Sequence, residues 1–496
     1  MGALTRAAVI ACIALSASAQ VRESITVEVI DVPVYVIDRD GRAVRGLTRD
    51  AFTLLVDGKA RPIDYFDTID FGSEQQSPIA ERPQRDRRLY LLLFDLTFAV
   101  PARLAHAQAA AEKAVDQSNS ATDLFSVATY DSHRGVSFVT PFLLDRVAIK
   151  RALYTLRSST SRDALGLTIT KDEREVWKDL ATPTDEASAA MLEAIMGGVA
   201  NQEMASAPTA RLIEHEFDAV GEAAKRLAAM EGQKHVLFFT QGFESSLVHG
   251  FGVGSGPPQI DANLMARMND MHKRFRAAGV ILDSIDIAGL RHTFDYRDND
   301  ALWLVARGTG GQVVVNKNDL VAGITDLTTA QQLVYLLGFR RTDNRAHRID
   351  VRVKGAPRGS NIYYRTGFGE PQKASVDALQ LADIMLNNVP QTGFEVALEV
   401  SSSADAVVRF SRAEVVPQLD EKTPAVDAML YVFKTGGEIV ASRAKRITFW
   451  PRSRAKGDIE VREHFDLPPG AYVAKALLRI EGTNVLAFAR REFTVP

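Results

Sequence analysis

The chain has 496 residues, of which 46% are hydrophobic and 24% charged, and its formal net charge is −3. That length suits about three domains of ordinary globular composition. The near-neutral balance gives no electrostatic reason for nucleic-acid binding.

The first elements lie at the N-terminus. Arg6 precedes an apolar stretch over residues 7–15, and Ala17-Ser18-Ala19 follows. A charged n-region, a short h-region and an A-x-A site make residues 1–19 a secretory signal. The stretch is short for a bilayer span, and no other run is long and apolar enough to be one. The expectation is a periplasmic or secreted protein with no transmembrane span. Val9-Ile10-Ala11-Cys12 also resembles a lipoprotein cleavage box, which would make Cys12 a lipid anchor. With cleavage after Ala19 the mature chain keeps no thiol, which excludes disulfides, zinc–thiolate sites and cysteine nucleophiles.

Residues 20–71 read as β structure. Ile25, Val27 and Val29 alternate with polar residues, as do Phe52, Leu54 and Val56, and Asp57-Gly58 is a hairpin signal. Residues 72–88 lose pattern and gain Pro, Gln and Arg, which suggests a solvated linker. From residue 89 to 330 strand-like runs alternate with helical ones, which implies a mostly parallel sheet covered on both sides. The run 136–139 follows its predecessor after a short turn and is expected to pair antiparallel at an edge. Residues 161–210 interrupt the rhythm. Met191, Leu192, Ile195 and Met196 form a helical stripe there, either a packed insertion or an adaptable lid. Residues 331–370 return to period two. Residues 371–389 suggest a helical connector, and 390–496 a C-terminal β-sandwich with a hairpin at Gly436-Gly437.

One stretch carries chemistry. Leu91-Leu92-Leu93-Phe94-Asp95-Leu96-Thr97 reads as a strand buried on both faces, with Asp95 and Thr97 on the loop at its carboxyl end. Open α/β sheets bind ligands there, and oxygen donors suit a hard cation. From these residues alone, Asp95 reads more readily as a cap of the following helix. No H-E-x-x-H, G-x-S-x-G or P-loop occurs, so no enzyme is expected. Gly250, Gly252, Gly254 and Gly256 lack G-x-G-x-x-G spacing and read as a flexible loop.

Three blocks resemble the bacterial, acidobacterial-type family of von Willebrand factor type A-related domains. They are Val36-Ile37-Asp38 to Asp57-Gly58-Lys59; Leu92-Leu93-Phe94-Asp95 with His235-Val236-Leu237-Phe238-Phe239-Thr240-Gln241-Gly242; and Tyr335-Leu336-Leu337-Gly338-Phe339 with Tyr364-Arg365-Thr366-Gly367-Phe368. The resemblance implies a doubly wound, Rossmann-like A domain over 89–330 carrying a metal-ion-dependent adhesion site, and the period-two segments on either side are expected to form flanking β-sandwiches. Segments 20–71 and 331–370 are then expected to pair in one composite sandwich. The family motif is Asp-x-Ser-x-Ser, a Thr from a later loop and an Asp from another. Asp95 and Thr97 match its first two positions, Ala99 stands at the third, Thr160 is the candidate later Thr, and Gln241 replaces the second Asp. Asp95, Thr97, Thr160 and Gln241 would hold magnesium, calcium or manganese with reduced charge, a partner protein's carboxylate completing the shell. The function so implied is an exported, non-enzymatic binding module with a degenerate adhesion site. The alternatives are a metal-independent envelope scaffold and, remotely, a hydrolase.

Overall fold

The computed structural model describes residues 29–72, 84–118, 122–161, 199–243, 248, 261–289, 296–370, 376–419, 424–449 and 457–496. The expected signal segment, the Met191 stripe and the glycines from Gly250 to Gly256 lie outside them.

Four strands come first: β1 (Val29–Ile37), β2 (Phe52–Val56), β3 (Lys59–Arg61) and β4 (Tyr65–Asp70). Asp57 and Gly58 both take positive φ, +49° and +77°, which is what a two-residue hairpin turn between β2 and β3 requires. β4 lies within the segment expected to be β structure.

The α/β region follows. Its elements are β5 (Arg88–Asp95), α1 (Pro101–Asp116), β6 (Asp123–Asp131), β7 (Gly135–Phe138), α2 (Arg146–Ser161), α3 (Val199–Leu227), β8 (Gln233–Thr240), α4 (Ala262–Ala278), β9 (Val280–Asp286), α5 (Tyr296–Arg307), β10 (Val313–Val314) and α6 (Leu320–Ala330). The strands form one mixed sheet in the order β10-β9-β8-β5-β6-β7. All neighbours are parallel except β7, which runs antiparallel to β6 at an edge. Every residue of β5 and β8 is buried. Alternate side chains of β5 serve opposite faces. Leu89, Leu91 and Leu93 pack with Phe217 of α3, Met271 and Phe275 of α4 and Val305 of α5. Tyr90, Leu92 and Phe94 pack with Leu104 of α1, Ile149 of α2 and Leu327 of α6. This two-sided covering explains the unbroken apolar run. α3 carries residues 199–210 in the same helix as Phe217.

The chain then returns through β11 (Leu333–Arg340), β12 (His347–Val353), β13 (Asn361–Tyr364) and β14 (Gly367–Phe368). β1 pairs antiparallel with β11, with Val29 opposite Arg340. Two four-stranded sheets result, β13-β1-β11-β4 and β14-β12-β2-β3. They share one apolar cluster that includes Val32, Leu54, Leu337 and Val351. Helix α7 (Ala378–Asn387) leads to β15 (Val396–Val400), β16 (Asp405–Ser411), the short α8 (Arg412–Val415), β17 (Ala425–Lys434), β18 (Ile439–Thr448), β19 (Asp458–His464), β20 (Gly470–Ile480) and β21 (Leu486–Val495). These strands form sheets β15-β16-β19 and β18-β17-β20-β21 around a further common core.

Buried polar links join these regions. Tyr35 of β1 hydrogen-bonds His235 Nε2 at 2.9 Å, and His235 Nδ1 meets Asp283 Oδ2 at 3.0 Å. Gln331 donates to the same Asp283 oxygen at 3.0 Å and accepts from Tyr90 at 3.1 Å. The chain of groups resembles a catalytic relay, but its members are 0–1% exposed, so it joins β1 to the sheet without reaching solvent.

The solvated-linker expectation for residues 72–88 needs correction at its C-terminal end. Arg87 is 3% exposed and pairs with Asp383 of α7 at 2.5 Å, while Arg88 is 1% exposed and pairs with Asp123 at 2.6 Å. Arginines in a featureless stretch read as surface residues, yet both find buried carboxylates distant in sequence.

Candidate functional site

The order of strands reverses at β5, with β6 on one side and β8, a later strand, on the other. In open α/β sheets a crevice forms at such a point, beyond the carboxyl ends of the strands. Asp95 ends β5 and Thr240 ends β8.

Asp95 is the last residue of its strand, paired with Tyr130, and not a loop residue as expected. It is fully buried. One carboxylate oxygen accepts from the backbone N–H of Thr97 at 2.8 Å and of Phe98 at 3.0 Å, and the other from the Thr240 hydroxyl at 2.6 Å. Asp95 therefore closes the turn after β5. It is not the cap of α1, whose N-cap residue is Val100, with Pro101 at the first helical position. Burial pushes the Asp95 carboxyl up to about 6, against the lowering effect of the Thr240, Phe98 and Thr97 hydrogen bonds.

Thr97 lies on the loop, where its hydroxyl oxygen accepts from Ser132 N–H at 2.9 Å and so ties that loop to the one after β6. Gln241 follows Thr240 directly, and its side-chain oxygen accepts from the Val100 N–H, steering the chain into α1. The fold thus brings Asp95, Thr97 and Gln241 to one rim. Thr160 stands apart from the family pattern, since it lies in the last turn of α2 and not on a loop. Its side chain is outside the described residues. Asp131 is the last residue of β6, and its carboxylate accepts from His133 N–H at 2.8 Å and Arg134 N–H at 3.2 Å across the turn into β7.

A hard cation is held by several anionic or carbonyl oxygens. Here one carboxylate is present among the four candidates, and three N–H or O–H donors already occupy it. Gln241 is turned to the start of α1. Among the described residues no group of three or more His, Cys, Asp or Glu side chains could hold a metal. The arrangement is a hydrogen-bonded lattice that fits a divalent ion poorly.

Two further groups belong to this end of the sheet. Thr240 was visible in sequence as a hydroxyl closing an apolar run, the same signal that marks Asp95. Glu216 is 2% exposed on α3, and among the described residues its Oε2 has no hydrogen-bond partner. It lines a narrow void with Thr240 and Ser284. Burial, followed by the field of Asp95, drives the Glu216 carboxyl well above the usual range. Its signal was an acid beside the apolar positions Ile213, Phe217 and Val220.

No family model matches the chain, and no curated protein matches it. Several solved structures do align. The conserved hypothetical protein BatB from Bacteroides thetaiotaomicron is 12% identical over 49% of this chain and 99% of that chain, with a TM-score of 0.27. An aerotolerance-related membrane protein from Bacteroides fragilis is 10% identical over the same shares, with a TM-score of 0.26. Three N-terminal domains of the type V pili tip protein Mfa5 from Porphyromonas gingivalis are 7% identical over 88% of this chain and 95% of that chain, with a TM-score of 0.25. Superpositions this loose define neither fold nor activity. Among the described residues no helix is long and apolar enough to cross a membrane.

Proposed function

We propose that the chain is an exported, non-enzymatic protein-docking module. Its α/β region acts as a Rossmann-like von Willebrand A-type unit set between β-sandwiches, and it docks a partner at the rim formed by Asp95, Thr97 and Gln241. The observation that carries this reading is the convergence of those residues where the strand order reverses. Val100 sits beside them, 52% exposed. The buried carboxylate acts as an internal clamp: it fixes the turn after β5, and the partner meets the surface this turn presents.

Metal-dependent docking is the second reading, favoured by the match of Asp95 and Thr97 to the first two positions of the family motif. In it a partner carboxylate supplies the charge that Gln241 lacks.

Two measurements separate the readings. Isothermal titration with magnesium and with manganese is expected to give no saturable heat. Partner capture from periplasmic extract is expected to survive EDTA and to fail with Val100→Asp. Saturable magnesium binding that disappears in Asp95→Ala would establish the metal-dependent form. Capture unaffected by Val100→Asp would remove the rim from consideration.

A further inference from the structure

The opposite end of the sheet holds a cavity that the docking rim does not use. It lies at the seam where β1 and the loops after β11 and β13 meet the start of β8 and the C-terminus of α4, and its volume is about 390 Å³. Small-molecule sites fall in this size range and favour seams between packed units.

Its lining includes three cations, Lys234, Arg341 and Arg365, and two carboxylates, Asp31 and Glu231, so the formal balance is three minus two, or +1. Glu231 is exposed, whereas Lys234 is buried at 9% exposure. Lys234 is the second residue of β8, and its ammonium points back under the end of α3. It donates to Met230 O at 2.8 Å and Leu227 O at 3.2 Å. An ammonium has three donors. Among the described residues it reaches no carboxylate at ion-pair distance. Arg341 donates to Gly369 O at 3.0 Å, and Arg365 to Gly367 O at 2.9 Å and Asp31 O at 3.2 Å. Those bonds fix both guanidinium groups in place before any ligand arrives.

We infer that this seam cavity binds a small oxyanionic ligand, a carboxylate or phosphate compound, with Lys234 as its buried anchor and Arg341 and Arg365 at its wall. A charge removed from water is costly unless it is paired, and an oxyanion supplies the missing counter-charge. The state of the lysine agrees. Burial, then repulsion from Arg365, brings its pKa down to about 7, with only Glu231 opposing. An anion seated beside it restores the ammonium form. The ligand would also bridge the β1 sheet and the α/β sheet, so its binding would tighten that seam.

The test uses the full chain, with inorganic phosphate and succinate as separate probes. Saturable one-to-one heat is expected from at least one of them, and which one identifies the ligand's acid group. Binding should weaken at least tenfold in Lys234→Met, which keeps most of the side chain's stem and removes the ammonium. Arg341→Gln, at a less buried residue, should show the same loss and guards against a folding defect in the first variant. Ligand should also move the pH midpoint of Lys234 acylation upward by a unit or more. Absence of saturable heat with both probes at 10 mM would overturn the inference. So would binding that is unchanged in both variants, or a midpoint that stays at its ligand-free value.

Discussion

Replacing Asp95 by asparagine keeps an acceptor for the Thr97 and Phe98 N–H groups and removes a buried charge. The ordinary carboxyl value of 3.8 rises to about 6 in the folded protein, mainly through burial. The native state therefore holds this proton more tightly than the unfolded chain does. The group's contribution to stability is fully present below pH 3.8, declines between 3.8 and 6, and is gone above. A gap of about two pKa units corresponds to about 3 kcal/mol. Wild type should lose that amount relative to Asp95→Asn as the pH rises from 3.5 to 7. Asparagine leaves the Thr240 hydroxyl less well matched, which offsets about 1 kcal/mol of the variant's advantage at neutral pH. The protein has several cores, so one melting curve does not isolate this region. Hydrogen exchange of amides in β5 and β8 at a series of pH values does. A difference between wild type and variant that stays flat within about 0.5 kcal/mol over that range would refute the claim that Asp95 is a desolvated clamp.

Arg88→Met leaves Asp123 buried without its partner and should cost about 3–5 kcal/mol, whereas Arg88→Met combined with Asp123→Leu should recover most of it. Urea titration of the singles and the double checks this, and a double variant no better than the single would count against it. His347 sits between Asp57 and Asp343, each 2.7 Å from a ring nitrogen, and the Asp343 and Asp57 hydrogen bonds raise its pKa. Its stabilisation is present below pH 6.5 and is lost as the pH rises through the elevated folded value. His347→Gln should therefore lower stability at pH 6 more than at pH 9, as followed by denaturant midpoints, and equal loss at both would contradict it. A Cβ on Gly310, at φ +91°, would lie 1.9 Å from Tyr364 O. Gly310→Ala should destabilise by about 2 kcal/mol or more, seen as a lower melting temperature. A melting temperature equal to wild type would mean that the backbone contact is not held.

Sequence alone located the pieces whose cause is local. The run Leu89 to Phe94 announced a strand covered on both faces, because period-two polarity disappears when no face meets water. Asp57-Gly58 announced its turn, because the two residues tolerate positive φ. Asp95 stood out as an acid ending an apolar strand. Tertiary structure decided what each charge does. The Thr240 hydroxyl that holds Asp95 comes from another strand, and Glu216 enters the same end of the sheet from α3. Arg87 and Arg88 looked like surface residues until Asp383 and Asp123 reached them. Periodicity records which face of an element is apolar. The protonation and partners of a buried polar group depend on elements brought in from far along the chain, and no local pattern encodes that distance.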